Sequence, residues 1–417
     1  MRMSAIGGRT MPAVLQRGQW LTIRNCKTVL VVVHTIPYAQ RLRDVFRLLE
    51  SDFRIQVVFT VAPHPLGDGI AEYLRQLGIS TVPWNQAVSA QFDLALAAGS
   101  RGVHQLRAPL IRLSHGAGHI KLLREVGDPS RQSSRTAGML SRQHLLHNGR
   151  VVPTAVAFAH ERDLEELKRS CPEALEAATI VGDPCLDRIT KSLPHRAAYR
   201  RALGVEDDRR LVVVSSTWGP SSTFGRFEVL LPQLLSQLPQ DRFRVALLVH
   251  PNVWAGHGSW QVNSWLASCR GQGLAVLPPE ADWEALLVAA DYVIGDHGSL
   301  TAYSTAAGIP ILLTDSPDRE VAGTSPAAVL ASAAPVVSPA HSLAEQLRYA
   351  AAQYWADGHR QVAETLSSEP GRFHRRMRGL MYRMLGLGEP AWEPTTPIAP
   401  LPPSLDSWDW PEDGVAA

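Results

Sequence analysis

Five short segments hold the residues best suited to chemistry, and each begins where an unbroken apolar run ends. Ser114-His115-Gly116-Ala117-Gly118-His119 follows Pro109 to Leu113. Its small residues let the backbone turn sharply and approach a ligand, and an imidazole there titrates in the range of a general base. Lys121 stands close by for an anionic group. Gly182-Asp183-Pro184, with Asp187-Arg188, follows the run ending at Val181 and reads first as a tight structural turn. Ser215 to Gly225 strings Ser216, Thr217, Trp218 and further hydroxyls and glycines ahead of a helix from about Arg226. Hydroxyls and bare N–H groups suit phosphate oxygens, although the G-x-x-x-x-G-K-[ST] pattern is absent. His250-Pro251-Asn252 aims an imidazole from the end of Val245 to Val249, where it could offset charge on a departing diphosphate. Gly295-Asp296-His297-Gly298-Ser299 ends the set. Ser299 stands where an N-cap belongs, while Asp296, His297 and Gly298 exceed what capping needs. For every segment the plain alternative is a turn that caps a helix or ends a strand with its polar groups in water.

The elements that must position these segments are short strands without polar alternation. Thr28 to Val33, Ile55 to Val61, Asp93 to Ala98, Pro109 to Leu113, Ala155 to Ala159 and Thr179 to Val181 form a first set. Leu211 to Ser215, Val245 to Val249, Leu274 to Leu277, Asp291 to Gly295 and Pro310 to Leu313 form a second. Strands buried on both faces belong to parallel sheets covered by helices, and helical stretches such as Tyr38 to Leu49 and Gly69 to Leu77 alternate with them. The expectation is an α/β protein of two Rossmann-like, doubly wound domains with a cleft between them. Functional groups collect past the carboxyl ends of such strands. The predicted division is a loose leader over 1–27, an acceptor domain over 28–195, a nucleotide-donor domain over 196–370, a closing helix over 371–388 and a tail over 389–417.

Composition agrees. The 417 residues are 45% hydrophobic, enough for two cores, and 41 Lys and Arg against 39 Asp and Glu give a net charge of +2, no footprint for nucleic acid. Cys26, Cys171, Cys185 and Cys269 are too scattered for a zinc site or a disulfide framework. No run reaches the roughly 18–20 apolar residues that cross a bilayer, and the leader lacks a signal-peptide core. The protein is therefore expected in the cytoplasm, without cofactor and without metal, since H-E-x-x-H and D-x-D patterns are absent near the cleft. Phe373 to Leu387 mixes Arg with Met, Leu and Tyr at helical spacing. It reads as a helix packing across both domains or as a basic face for the inner membrane surface. The Pro- and Trp-rich tail is read as lacking independent structure, its Trp392, Trp408 and Trp410 free to dock.

In order and spacing, the five segments resemble the CDP-glycerol glycerophosphotransferase family of teichoic-acid enzymes. The matches are His115-Gly116 with Lys121; Gly182, Pro184 and Asp187; Thr217-Trp218; His250-Pro251; and Asp296 with Ser299. They span roughly residues 110–315. The resemblance implies a GT-B fold in which His115 and His250 are catalytic. Ser216, Thr217, Asp296, His297, Gly298 and Ser299 would hold the nucleotide and its phosphates, and Gly116 and Lys121 would meet the acceptor or an anion. Gly219 stands where the family has arginine, and His297-Gly298 replace tyrosine and serine, which leaves one phosphate contact and the nucleotide open. The implied activity is transfer of a glycerophosphate-like or glycosyl group from a nucleotide-activated donor to an acceptor hydroxyl. The alternatives are a UDP-N-acetylglucosamine 2-epimerase-like enzyme, which has a similar His-Pro-Asn segment, and a non-catalytic binding protein of the same fold.

Overall fold

β-Branched residues dominate the two strands from which each sheet grows, KTVLVVV over Lys27–Val33 and RLVVVSS over Arg210–Ser216. Stiff at χ1, they favour extended backbone. The computed structural model describes residues 23, 25–124, 135–315, 321–354 and 356–408; the leader through residue 22, together with Trp410, lies outside them. Alternate side chains of each first strand enter separate cores. Val29, Val31 and Val33 pack with Leu42 and Val45 on one face, and Leu30 and Val32 with Val58 and Phe92 on the other. Val212 and Val214 likewise part from Leu211 and Val213. Both faces of both sheets are covered, as continuous apolar strands require.

The first sheet has seven parallel strands in the order Ala178–Ile180, Ala155–Phe158, Leu110–Leu113, Leu94–Ala97, Lys27–Val33, Ile55–Val61, Thr81–Val82. The second has five, in the order Leu274–Val276, Phe243–Val249, Arg210–Ser216, Tyr292–Gly295, Ile311–Leu313, again parallel. In each, the chain winds outward one way from its first strand and then restarts on the other side. The reversal lies between Lys27–Val33 and Leu94–Ala97 in the first sheet, and between Arg210–Ser216 and Tyr292–Gly295 in the second. Such switch points open a crevice past the strand ends, the usual ligand site of doubly wound sheets.

Strand ends differ from the sequence reading by a residue or two, and the two-residue edge strand Thr81–Val82 had no apolar run to announce it. The helix expected from Tyr38 begins instead at Ile36, because Pro37 is accepted in a first turn, and it tightens to a 3-10 turn over Arg47–Leu49. The closing helix is Phe373–Leu385. Its Phe373, Met377, Leu380, Met381, Tyr382 and Leu385 are buried in the core of the first sheet. The apolar side that the sequence offered to a membrane is thus spent in packing. Residues 389–404 carry neither helix nor strand, yet the tail is anchored. Tyr199 Oη donates to the Ala399 carbonyl (2.8 Å), and Leu405 and Trp408 are buried in the core of the second sheet. Trp392 stays exposed. Among the described residues, no helix is long and apolar enough to cross a membrane.

Candidate functional site

The loop after Leu110–Leu113 is held from two sides. Arg41 donates to the Gly116 carbonyl (3.0 Å), and the Ala117 N–H donates to Ser299 Oγ (3.2 Å) on the second half. A Cβ on residue 116 would lie 2.6 Å from that Oγ, so any larger residue would push the Ser299 hydroxyl aside where the two halves touch. Ser299 is not the N-cap expected of it. Gly298 caps the short helix Ser299–Tyr303, and the Ser299 hydroxyl faces the opposite half instead.

The Tyr38 ring lies 4.3 Å from the His115 ring, centre to centre. Burial, with Arg41 and Arg112 nearby, pushes the His115 imidazole down to about 3. His250 is driven to about 3 as well, first by burial and then by His115 and Lys121. The imidazole expected to be cationic or hydrogen-bonding is therefore neutral, and it works by hydrogen bonding. Both residues keep some open surface although protein encloses their imidazoles. His250 Nδ1 accepts from the Asn252 N–H (3.1 Å), capping Pro251–His257 and leaving the hydrogen of the neutral ring on Nε2. Lys121 Nζ donates to the Trp218 carbonyl (2.8 Å) and sits 4.3 Å over the Trp218 ring. The structure thus brings together His115, Gly116, Lys121, Trp218, His250 and Ser299 from both sheets.

The hydroxyl-rich loop is organised differently from its sequence reading. Asp296 Oδ1 accepts from the N–H groups of Thr217 (3.1 Å) and Gly298 (3.0 Å), and Oδ2 from those of Thr217 (2.9 Å) and Thr223 (2.8 Å). One buried carboxylate ties both ends of the loop to the turn after Tyr292–Gly295. These N–H groups, which the sequence offered to phosphate, are already committed. Ser216 Oγ is committed too: it accepts from Phe224 N–H (2.8 Å) and donates to the Thr217 carbonyl (2.9 Å). His297 is buried beside the clasp.

Gly-Asp-Pro has the structural role that its sequence favoured. Asp183 caps Pro184–Ser192 by accepting from Leu186 N–H (2.9 Å). It also accepts from Arg41 (3.1 Å) and from Tyr303 Oη (2.8 Å), a residue of the second half. Asp187 accepts from Gly371 N–H (2.6 Å) and Phe373 N–H (3.1 Å), fixing the start of the closing helix. Sequence reasoning missed Arg41, Tyr303 and a second buried network in which Arg188 pairs with Asp44 and with Glu284 (2.9 Å). Arg41 and Asp44 share the helix Ile36–Phe46 with Arg43, which pairs with Asp282. Charged residues on a helix facing a core were the available signal, since burial without partners is prohibitive.

No family model matches this chain, and no curated protein matches it at the threshold applied. Solved structures do. A variant of the wall teichoic acid polymerase TagF is 13% identical, with a TM-score of 0.62, and the match covers 87% of this chain and 90% of that one. The Staphylococcus aureus MnaA–UDP co-structure is 12% identical (TM-score 0.51, 88% of this chain and 99% of that one). UDP-GlcNAc 2-epimerase from Neisseria meningitidis bound to UDP-GlcNAc is 14% identical (TM-score 0.50, 86% and 99%). This chain shares their fold: GT-B, two Rossmann-like doubly wound domains with a cleft between them.

Proposed function

We propose that the protein is a metal-independent transferase that moves a glycosyl or glycerophosphate-like group from a nucleotide-activated donor to an acceptor hydroxyl. The observation that carries this reading is the approach of His115 and Lys121, from the first half, to His250, from the second, past the ends of the parallel strands. The solved neighbours named with bound UDP or UDP-GlcNAc support a nucleotide-linked donor. In the proposed mechanism, a neutral His115 takes the proton from the acceptor hydroxyl as that oxygen attacks the donor. Neutral His250 donates from Nε2 to the departing phosphate. A diphosphate arriving beside the imidazoles raises their proton affinity, which burial and the neighbouring cations hold low. Ser299 and His297 flank the donor phosphates, with Asp296 holding the turn rather than meeting an anion. The arginines on the outer side of the closing helix, Arg372, Arg375, Arg376 and Arg383, border a recess of about 490 Å³. They are the surface that would meet anionic lipid headgroups, by charge rather than by insertion.

His115→Ala should lower turnover about 10²- to 10⁴-fold with nucleotide affinity kept. His250→Ala should weaken binding of UDP- or CDP-linked compounds in calorimetry. Near-normal turnover by His115→Ala with the true substrate pair would exclude it as the base. Nucleotide conversion that needs no acceptor would favour the epimerase-like chemistry.

A further inference from the structure

The outer side of the closing helix carries an arginine stripe that its packing does not explain. While Phe373, Met377, Leu380, Met381 and Leu385 are buried in the first core, Arg372, Arg375, Arg376 and Arg383 stay exposed. Their spacing, with Gly379 among them, follows one side of an α-helix. Together with Glu389 these residues line one recess of about 490 Å³, within the roughly 300–1,000 Å³ of small-molecule sites. Most such sites are apolar; this lining is four arginines, one glutamate and one glycine, so what it holds is recognised by charge. Gly379 is buried and gives the recess its floor. A Cβ on residue 379 would lie 3.2 Å from Glu389 Oε1 and 3.5 Å from Arg383 Nη1. Arg383 thus reaches back over the glycine, as helical side chains lean toward the N-terminus.

The charge of the lining is only partly spent. Arg372 and Arg376 share one carboxylate, Glu369, each at 3.2 Å, and Arg376 Nε also donates to the Ile180 carbonyl (2.9 Å). Glu389, the acid of the lining, is taken by Arg378 (2.9 Å), a buried arginine that does not border the recess. Arg375 meets Glu393 at 3.7 Å with both side chains largely exposed, a pair worth little in water. The Arg383 guanidinium has no ion pair or hydrogen bond among the described residues. Two available guanidinium groups exceed what one carboxylate satisfies. A phosphate monoester carries about two negative charges and three free oxygens, and its oxygens fit the planar donor forks.

We propose that Arg375 and Arg383, seconded by Arg372 and Arg376, form a binding site for a phosphate monoester or a diphosphate, on the first half and sharing no residue with the cleft. The proposal narrows the charged surface named above to one discrete site, and it rests on that part of the reading, not on the transfer chemistry. A lipid headgroup and a soluble molecule are the two sources of such a phosphate, and the chemistry at the arginines is the same for both.

Two probes separate the sources: inorganic pyrophosphate in calorimetry, and phosphatidylcholine vesicles with and without phosphatidic acid in sedimentation. The full chain should bind at least one; pyrophosphate alone names a soluble ligand, and vesicles alone name a headgroup. Arg375→Gln/Arg383→Gln, two exposed changes that keep helix propensity, should weaken that binding about 10-fold or more with Tm unchanged. The same binding should persist in His250→Ala, which marks it as separate from the donor phosphates. Arg169→Gln/Arg360→Gln removes equal charge from exposed arginines elsewhere and should change little. Binding of neither probe overturns the proposal, as does unaltered binding in the folded Arg375/Arg383 variant. An equal loss in the Arg169/Arg360 variant also overturns it, because net charge would then suffice, and so does binding abolished by His250→Ala. UDP binding without any of these effects defeats the recess and leaves the transferase reading standing. Phosphate held by the recess in a protein that takes no nucleotide defeats that reading and upholds the site.

Discussion

The two switch points have the same topology and opposite interiors. In the second sheet the crevice is laced shut at its base by Asp296, whose two oxygens satisfy three backbone N–H groups from two loops. In the first sheet the corresponding crevice keeps unsatisfied polar atoms at His34, Thr35 and Ser100. A doubly wound sheet dictates where a crevice forms but not how completely its polar groups are paired. That difference is set by single residues at strand ends, a carboxylate in one half and a buried imidazole in the other.

The sharpest way to break the comparison is to cut the clasp. Asp296→Ala strands three buried donors, and stability should drop by about 3–5 kcal/mol by denaturant unfolding. A loss under about 1 kcal/mol would mean that the loop re-pairs and the clasp is dispensable. Acid acts more gently and weighs more on the first half, although His250 in the second is driven down as well. His34, His115, His119 and His144 in the first half are all held below the ordinary imidazole value, first by burial. Below about pH 6.5 the unfolded chain takes up protons that the folded rings refuse, so stability falls as pH drops. For His34 alone the loss reaches about 2 kcal/mol at pH 5. Asp163 and Asp187, raised by burial to about 6, act the other way, because the folded chain protonates them first as pH falls. Tm should still decline from pH 7 to 5, and His34→Asn should flatten the slope; a flat profile in the parent protein would contradict neutral buried imidazoles. The smallest effect is expected across the cleft. Lys121→Ala removes one hydrogen bond and a cation–π contact at a partly open site, worth about 0.5–1 kcal/mol. It should loosen nucleotide affinity before it alters Tm.

The sequence carried the fold well because continuous apolar strands leave few alternatives, and the two strand sets appear at nearly the positions read from their valines and leucines. His115 and His250 were legible since an imidazole after a buried strand is conspicuous. His34 ends a strand in the same manner and was passed over because no glycine-rich loop follows it. Asp296 stands out in the sequence as exceeding what a cap needs. That its partners would be the N–H groups of the hydroxyl-rich loop was not legible, because backbone pairing across 79 residues leaves no local pattern. Ser299 shows the opposite failure: its type suited a cap, but the neighbouring half supplied a better use. The links through Arg41, Asp183 and Tyr303 join positions up to 262 apart, beyond the reach of periodicity.

The closing helix also bears on the order in which the chain can be made. Met377, Met381 and Tyr382 share a core with Val29, Val31 and Leu42, although more than 300 residues of synthesis separate them. When the first seven strands have left the ribosome, one face of their sheet still lacks part of its cover, and the Gly371 and Phe373 amides that Asp187 awaits do not yet exist. The second half must be translated in full before the first can finish folding. A nascent chain stalled anywhere between the two would therefore present the apolar strip that Phe373, Met377 and Met381 later cover, the kind of substrate a holding chaperone binds.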